Sequence, residues 1–193
     1  AGFALQTIGL LNTTATNNAF ITCTYVVLVP FVMGFFRKKI RPVNFLIAFV
    51  TIAGLAILSL NSDFRISSGD IWTLAGAFFF ALHMVLLGEY SPRHDAFLLS
   101  LIQIMVVGVI NILLALVFEP LPAAVNFSPS LILSLLYCSL LPTVACYLIQ
   151  TAAQKIVSPI TASVLFMGES IFGAFFGWLL LDEFFGLRQL LGA

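Results

Sequence analysis

Long apolar runs separated by short polar punctuation make up this chain. Each complete run is close to the ~20 residues a helix needs to cross ~30 Å of hydrocarbon at ~1.5 Å per residue. The tail of a first helix reaches about Leu11 and is closed by Asn12-Thr13-Thr14. A second runs from about Thr16 to Phe36, carries Pro30, and stops at Arg37-Lys38-Lys39-Ile40-Arg41-Pro42. The third covers about Val43 to Leu60 and ends at Asn61-Ser62-Asp63. Next come helices over about Ile71–Leu87, holding His83, and Ala96–Phe118, holding Gln103 and Asn111. After the Pro-rich loop EPLPAAVNFSPS, a helix over about Leu131–Thr151 has Pro142 in its interior. The stretch Ser158–Leu181 opens with Ser-Pro, a good N-cap and first-turn pair, and a stub follows Leu187. Six complete spans and two partial ones result. The predicted fold class is all-α, a polytopic integral membrane protein.

Within Ser158–Leu181 sits Glu169, the only formally charged side chain deep inside any apolar segment. A carboxylate at that depth costs on the order of 2–4 kcal/mol even on lenient insertion scales, so it needs a partner or a watery cavity. Leu165, Glu169, Gly173 and Gly177 recur at four-residue spacing, so the acid shares a face with a GxxxG surface suited to close helix packing. That helix is expected to face protein rather than lipid.

Composition strengthens the membrane assignment. The chain is 61% hydrophobic and 8% charged, against roughly 25% charged in soluble domains, and no soluble fold of this size covers so much apolar surface. Net charge is zero, which argues against a nucleic-acid partner. Cys23, Cys138 and Cys146 lie in apolar segments without CxxC or metal-ligand spacing, and read as small packing residues. Ala1 already lies inside an apolar segment, and another begins just before Ala193. The chain therefore reads as a piece of a longer protein.

Successive loops must alternate sides of the membrane. One alternate set holds Arg37, Lys38, Lys39, Arg41, Arg93 and Lys155, the other only Arg65 and Arg188. The excess marks the first set, including the Arg37–Arg41 loop, as cytoplasmic. Sliding the chain on itself by 144 residues brings Leu5-Gln6-Thr7 onto Ile149-Gln150-Thr151, Thr14 onto Ser158, and Tyr25 onto Glu169. Lys38-Lys39 then falls on Asp182-Glu183, in turns on opposite sides, as an inverted repeat requires. Completing both copies gives ten helices in two inverted sets of five.

Helical spacing also picks out polar faces. Ser134, Cys138, Pro142, Cys146 and Gln150 follow at four residues, as do Ser100, Gln103, Val107 and Asn111 at three or four. Asn18, Thr22, Tyr25 and Val29 form a third face. Pro142 and Pro30 lack an N–H, leaving the carbonyls of Cys138 and Val26 without their usual helical partners. One reading is a cavity lined by these faces, with Tyr25 and Glu169 at mid-depth. The other is that the polar side chains bridge helices, at about 0.6 kcal/mol per bond. His83 has the same two readings, since an imidazole titrates near neutrality and can relay protons. For Glu169 the alternative to function is a structural hydrogen bond made while protonated. No HExxH, GxSxG, P-loop or paired-carboxylate motif appears, so no catalytic residue, metal ligand or cofactor is assigned.

Three stretches resemble a known family. TTATNNAFITCTYVVLVPFVMGFF is similar to the fourth helix of EamA-like members of the drug/metabolite transporter superfamily. AAQKIVSPITASVLFMGESIFGAFFGWLLLDE is similar to their ninth, whose usual form is near SPxxAxLxxxLEPVxAAxxxxLLLGE. GDIWTLAGAFFFALHMVLLGEYS resembles the start of their second repeat. Where that family has Glu-Pro this chain has Glu169-Ser170, so the helix break such a proline imposes is weaker here. The resemblance implies a carrier that moves a small metabolite, amino acid or drug-like solute across the cytoplasmic membrane by alternating access, with no cofactor. It implies that residues 1–60 end a first repeat (third to fifth helices), 61–70 form an extracytoplasmic linker, and 71–193 carry the second repeat (sixth to ninth helices and the start of the tenth). The expected partners are a small-molecule substrate and the lipid bilayer, with a homodimer as one assembly. A channel, or a scaffold of the same helical fold that transports nothing, are the alternatives.

Overall fold

Four helices begin where the sequence supplies a capping side chain. A computed structural model describes residues 1–13, 15–36, 42–59, 67–118, 127–168 and 172, and every regular element among them is helical. Ser158 accepts from the Thr161 N–H at 3.2 Å with Pro159 in the first turn, and Ser128 does the same for Leu131 ahead of Pro129. These serines start α9 (Pro159–Phe166) and α7 (Pro129–Cys138). Asp95 accepts from the Leu98 N–H at 2.9 Å and starts α6 (Ala96–Phe118). At α5 (Ser68–Tyr90) Ser67 and Asp70 cap each other reciprocally, N–H to carboxylate at 2.8 Å and N–H to hydroxyl at 3.2 Å. That capping box places the start of α5 three residues before the expected Ile71. Its end likewise runs past Leu87 to Tyr90, where Pro92 turns the chain into a short 3-10 turn, Ser91–Arg93.

Two expected helices are interrupted. Thr16–Phe36 divides into α2 (Ala15–Cys23) and α3 (Tyr25–Phe35), with Thr24 between them. The Thr24 N–H and hydroxyl both turn back to the Ile21 carbonyl, at 3.1 and 2.6 Å, a tightened three-residue turn in place of the α-helical bond. Pro30 does not end the helix; it lies buried within α3. The expected Leu131–Thr151 helix starts two residues earlier as α7 and passes through a π-helical stretch, Ser139–Ala145, into α8 (Cys146–Ala153). Pro142 lies inside that stretch and supplies no N–H. The Cys138 carbonyl is nonetheless satisfied, because the Thr143 hydroxyl donates to it at 2.9 Å. This corrects the expectation of a free carbonyl there. The wider π turn also rotates later residues relative to earlier ones, so the four-residue stripe from Ser134 to Gln150 does not continue as one face.

The chain divides into two compact units, Ala1–Leu86 with Ser158–Ala193, and Leu87–Val157. In the first, α2, α3, α4 (Pro42–Ser59), most of α5 and α9 share a core, and α1 (Gly2–Leu10) packs on α2. Val26, Val29, Val32 and Met33 of α3 cluster with Ala48 of α4, Ala77, Ala81, Met84 and Val85 of α5, and Ile160 and Met167 at α9. In the second unit α6 packs on α8, and α7 and α8 flank the π stretch. Cys138 and Cys146 are exposed there, so of the three cysteines expected to pack, Cys23 alone is buried.

Three helical segments among the described residues are long and apolar enough to cross a membrane: Ser68–Arg93, Ala96–Phe118 and Pro129–Ala153. The outward face of α6 is apolar almost throughout, from Phe97 and Leu98 to Val117 and Phe118. Lipid is a good solvent for such a face and water is not.

Helix boundaries repeat along the chain. Adding 144 to Ala15, where α2 starts, gives Pro159, the start of α9. Both α2 and α9 end in a turn whose N–H bonds three residues back, Thr24 to Ile21 and Met167 to Val164, 143 residues apart (167 − 24). The Glu169, Gly173 and Gly177 positions, the Arg37–Arg41 loop and most of the 61–70 linker lie outside the described residues.

Candidate functional site

Polar side chains in the first unit converge where α1, α2 and α5 meet. Asn18, buried on α2, donates its amide to the Gln6 carbonyl at 3.0 Å and to the Thr73 hydroxyl at 2.9 Å. Thr73 in turn donates to the Gly69 carbonyl at 2.8 Å. The Gln6 side-chain amide reaches Thr22 at 3.1 Å, and the Thr13 hydroxyl donates to Asp70 at 2.5 Å. Glycines let the helix backbones approach this closely. A Cβ on Gly9 would lie 2.8 Å from the Gly69 carbonyl oxygen, and one on Gly76 3.1 Å from that of Gly2. Gly2 and Gly9 are seven residues apart on α1, as are Gly69 and Gly76 on α5, which puts each pair on one face.

Tyr25 is buried at the start of α3 and belongs to the apolar core cluster beside Val26 and Val29. His83 is half-buried on α5, next to the buried Met84. Of the face expected to line a cavity, then, Asn18 and Thr22 bond to neighbouring helices, and Tyr25 lies deeper in the same unit.

A second cluster lies in the other unit. Ser100 on α6 and Thr151 on α8 are buried, with hydroxyls 2.9 Å apart, and Ser100 also reaches the Tyr147 carbonyl at 3.2 Å. The Gln103 amide donates to Leu99 at 3.1 Å and to Thr151 at 3.4 Å. Asn111, expected on the same face, is exposed and folds back on the Val107 carbonyl at 2.8 Å. Cys146 is exposed and Gln150 half-buried. The pairing explains why hydroxyls tolerate so apolar a setting. Thr151→Val keeps the shape and removes the shared oxygen, and should lower stability by roughly 0.6–1.7 kcal/mol, the range for side-chain hydrogen bonds within membranes. Thermal unfolding in detergent at matched purity measures it.

Asn18, Thr22, Ser100 and Gln103 lay on faces picked out by helical spacing, whereas Gln6, Thr13, Asp70, Thr73 and Thr151, which complete these clusters, did not. The Ser67-x-x-Asp70 capping box and the seven-residue glycine spacing are visible signals for the first cluster. For Thr151 the signal is weaker, a lone hydroxyl at a helix end. Among the described residues no group of three or more His, Cys, Asp or Glu side chains is placed to hold a metal. The chemistry these side chains offer is neutral hydrogen bonding within apolar helices.

A sequence profile of the EamA-like transporter family matches residues 67–193. The chain is 33% identical over 196 aligned positions to an uncharacterized transporter of Archaeoglobus fulgidus (strain ATCC 49558 / DSM 4304 / JCM 9628 / NBRC 100126 / VC-16). That alignment covers all of this chain and 61% of the archaeal protein, so the chain spans about three-fifths of this relative's length. No solved structure matches.

Proposed function

The chain belongs to the EamA-like transporter family, and from that premise we propose that it forms part of a secondary transporter moving a small metabolite, amino acid or drug-like solute across the cytoplasmic membrane. The carrier works by alternating access between two inverted five-helix repeats, 1–60 closing the first and 71–193 carrying most of the second. The observation that carries the repeat reading is the coincidence of helix starts at Ala15 and Pro159 under the 144-residue offset, with like turns closing both helices. Opposite charge in the equivalent turns Lys38-Lys39 and Asp182-Glu183 supports it from the sequence. Tyr25 and Glu169, matched by the same offset, are the proposed pair bordering the substrate, with His83 as a candidate proton carrier.

Flux through the complete protein in proteoliposomes tests the activity. Saturable uptake with competition among amino acids, other metabolites and amphipathic drugs is the expected result. Unsaturable conductance identifies a channel instead, and no flux with any compound a scaffold. Topology offers a separate check. Single cysteines at Lys39 and Asp182, in a cysteine-free background, should be labelled from opposite sides of the membrane, Lys39 from the cytoplasm. Labelling of both from outside would overturn the inverted repeat.

A further inference from the structure

We infer that the seam of α1, α2 and α5 is the carrier's extracytoplasmic closure, a latch that is shut in this structure and parts when the substrate site opens to that side. The inference rests on the alternating-access reading above. Loop alternation puts Asn12–Thr14 and 61–70 opposite the basic Arg37–Arg41 turn, and the structure joins these two places directly through Thr13 and Asp70. The contacts that close the seam lie within about two helical turns of that surface: Thr13 with Asp70, Asn18 with Thr73 and Gln6, Gln6 with Thr22, and Gly9 against Gly69.

The chemistry of the seam changes with depth. Further along α3 and α5 the contacts are apolar, between buried Val26, Val29, Ala77, Ala81 and Val85. Exposing those side chains to water is costly, because the cost rises with the apolar area uncovered. Hydroxyls and amides near the surface lose little on parting, because water entering from outside replaces each hydrogen bond. Glycine faces have no side chains to interdigitate, so the backbones separate without unthreading. Polar bonds over glycine therefore make a seal that is dry when shut and cheap to open. The apolar contacts beneath it make a hinge that stays packed.

The reporter for the test is Leu5→Cys, which lies against Gly76 across the seam, in a cysteine-free background of the complete protein. It is labelled with the membrane-impermeant thiol reagent methanethiosulfonate ethyltrimethylammonium, in right-side-out and in inside-out vesicles. Thr13→Val is the latch variant, because it removes the hydroxyl bonded to Asp70 and leaves the Ser67–Asp70 capping box of α5 intact. Asn18→Leu is a second variant on the opposite side of the seam, in case one of them accumulates poorly. Expected is labelling from outside about threefold faster in either variant, equivalent to about 0.6 kcal/mol, with slower labelling from the cytoplasmic side. Labelling from both sides at rates unmoved by both variants would leave a carrier that alternates and would overturn the latch. Labelling of Leu5→Cys from neither side would sink the alternating-access reading, and the latch with it.

Discussion

Gly69→Ala should destabilise the closed protein by about 2–4 kcal/mol and lower its thermal midpoint, while Gly108→Ala does not. A Cβ on Gly69 would fall 2.7 Å from the Asn12 carbonyl carbon and 2.9 Å from the Thr13 nitrogen. Both are backbone atoms, so relief requires moving α1 away from α5 rather than turning a side chain. Overpacking of this kind costs about 1–3 kcal/mol. The displacement also stretches the Thr13–Asp70 and Asn18–Thr73 bonds, at about 0.6 kcal/mol each within a membrane. The sum of about 2–4 kcal/mol is a large part of the ~5–15 kcal/mol that keeps a typical protein folded. A methyl group added at Gly108 on α6 would meet nothing within 4 Å, and alanine there gains up to about 1 kcal/mol of helix propensity. Monodispersity on detergent size exclusion after a heating series separates the two. Wild-type behaviour of Gly69→Ala would mean that α1 and α5 do not meet at backbone contact.

The sequence announced helices far better than it announced what joins them. Ser158-Pro159 starts α9 as its chemistry requires, and Ala96–Phe118 is helical over the whole expected span. Those features are local, fixed by capping and by an unbroken apolar run. The break at Thr24 is not: Pro30 drew attention one and a half turns downstream, yet Thr24 has a hydroxyl that can bond back to Ile21. At Pro142 the lost bond was foreseen, but its repair by Thr143, one residue on, depends on the π geometry that the proline itself imposes. Asn18 shows the limit from another side. Its polarity was legible, but its partners Gln6 and Thr73 lie on separate helices, 12 and 55 residues away. Which face a polar residue serves is decided by packing that no single helix encodes.

The second large effect is expected at Glu169. It lies outside the described residues, so its role rests on the sequence: a lone acid in an apolar helix, matched by the 144-residue offset to Tyr25. Glu169→Gln keeps shape and hydrogen bonding but cannot ionise, which separates a structural carboxyl from a working one. If Glu169 is protonated in place as a helix-to-helix donor, the Gln variant should insert, fold and transport almost normally. If it binds substrate or carries a proton, membrane levels should stay normal while transport is lost, or no longer follows pH. Loss of a charge-assisted contact worth ~1.5–3 kcal/mol would weaken substrate binding about ten- to a hundredfold. Tyr25→Phe should give a milder defect, since the ring stays packed in the core with Val26 and Val29 and only the hydroxyl is removed. Measured together at matched expression, the pair also tests their common border on the substrate. Wild-type flux and pH dependence in Glu169→Gln would remove the acid from the site. A Tyr25→Phe defect beside that result would leave Tyr25 as the residue that meets the substrate.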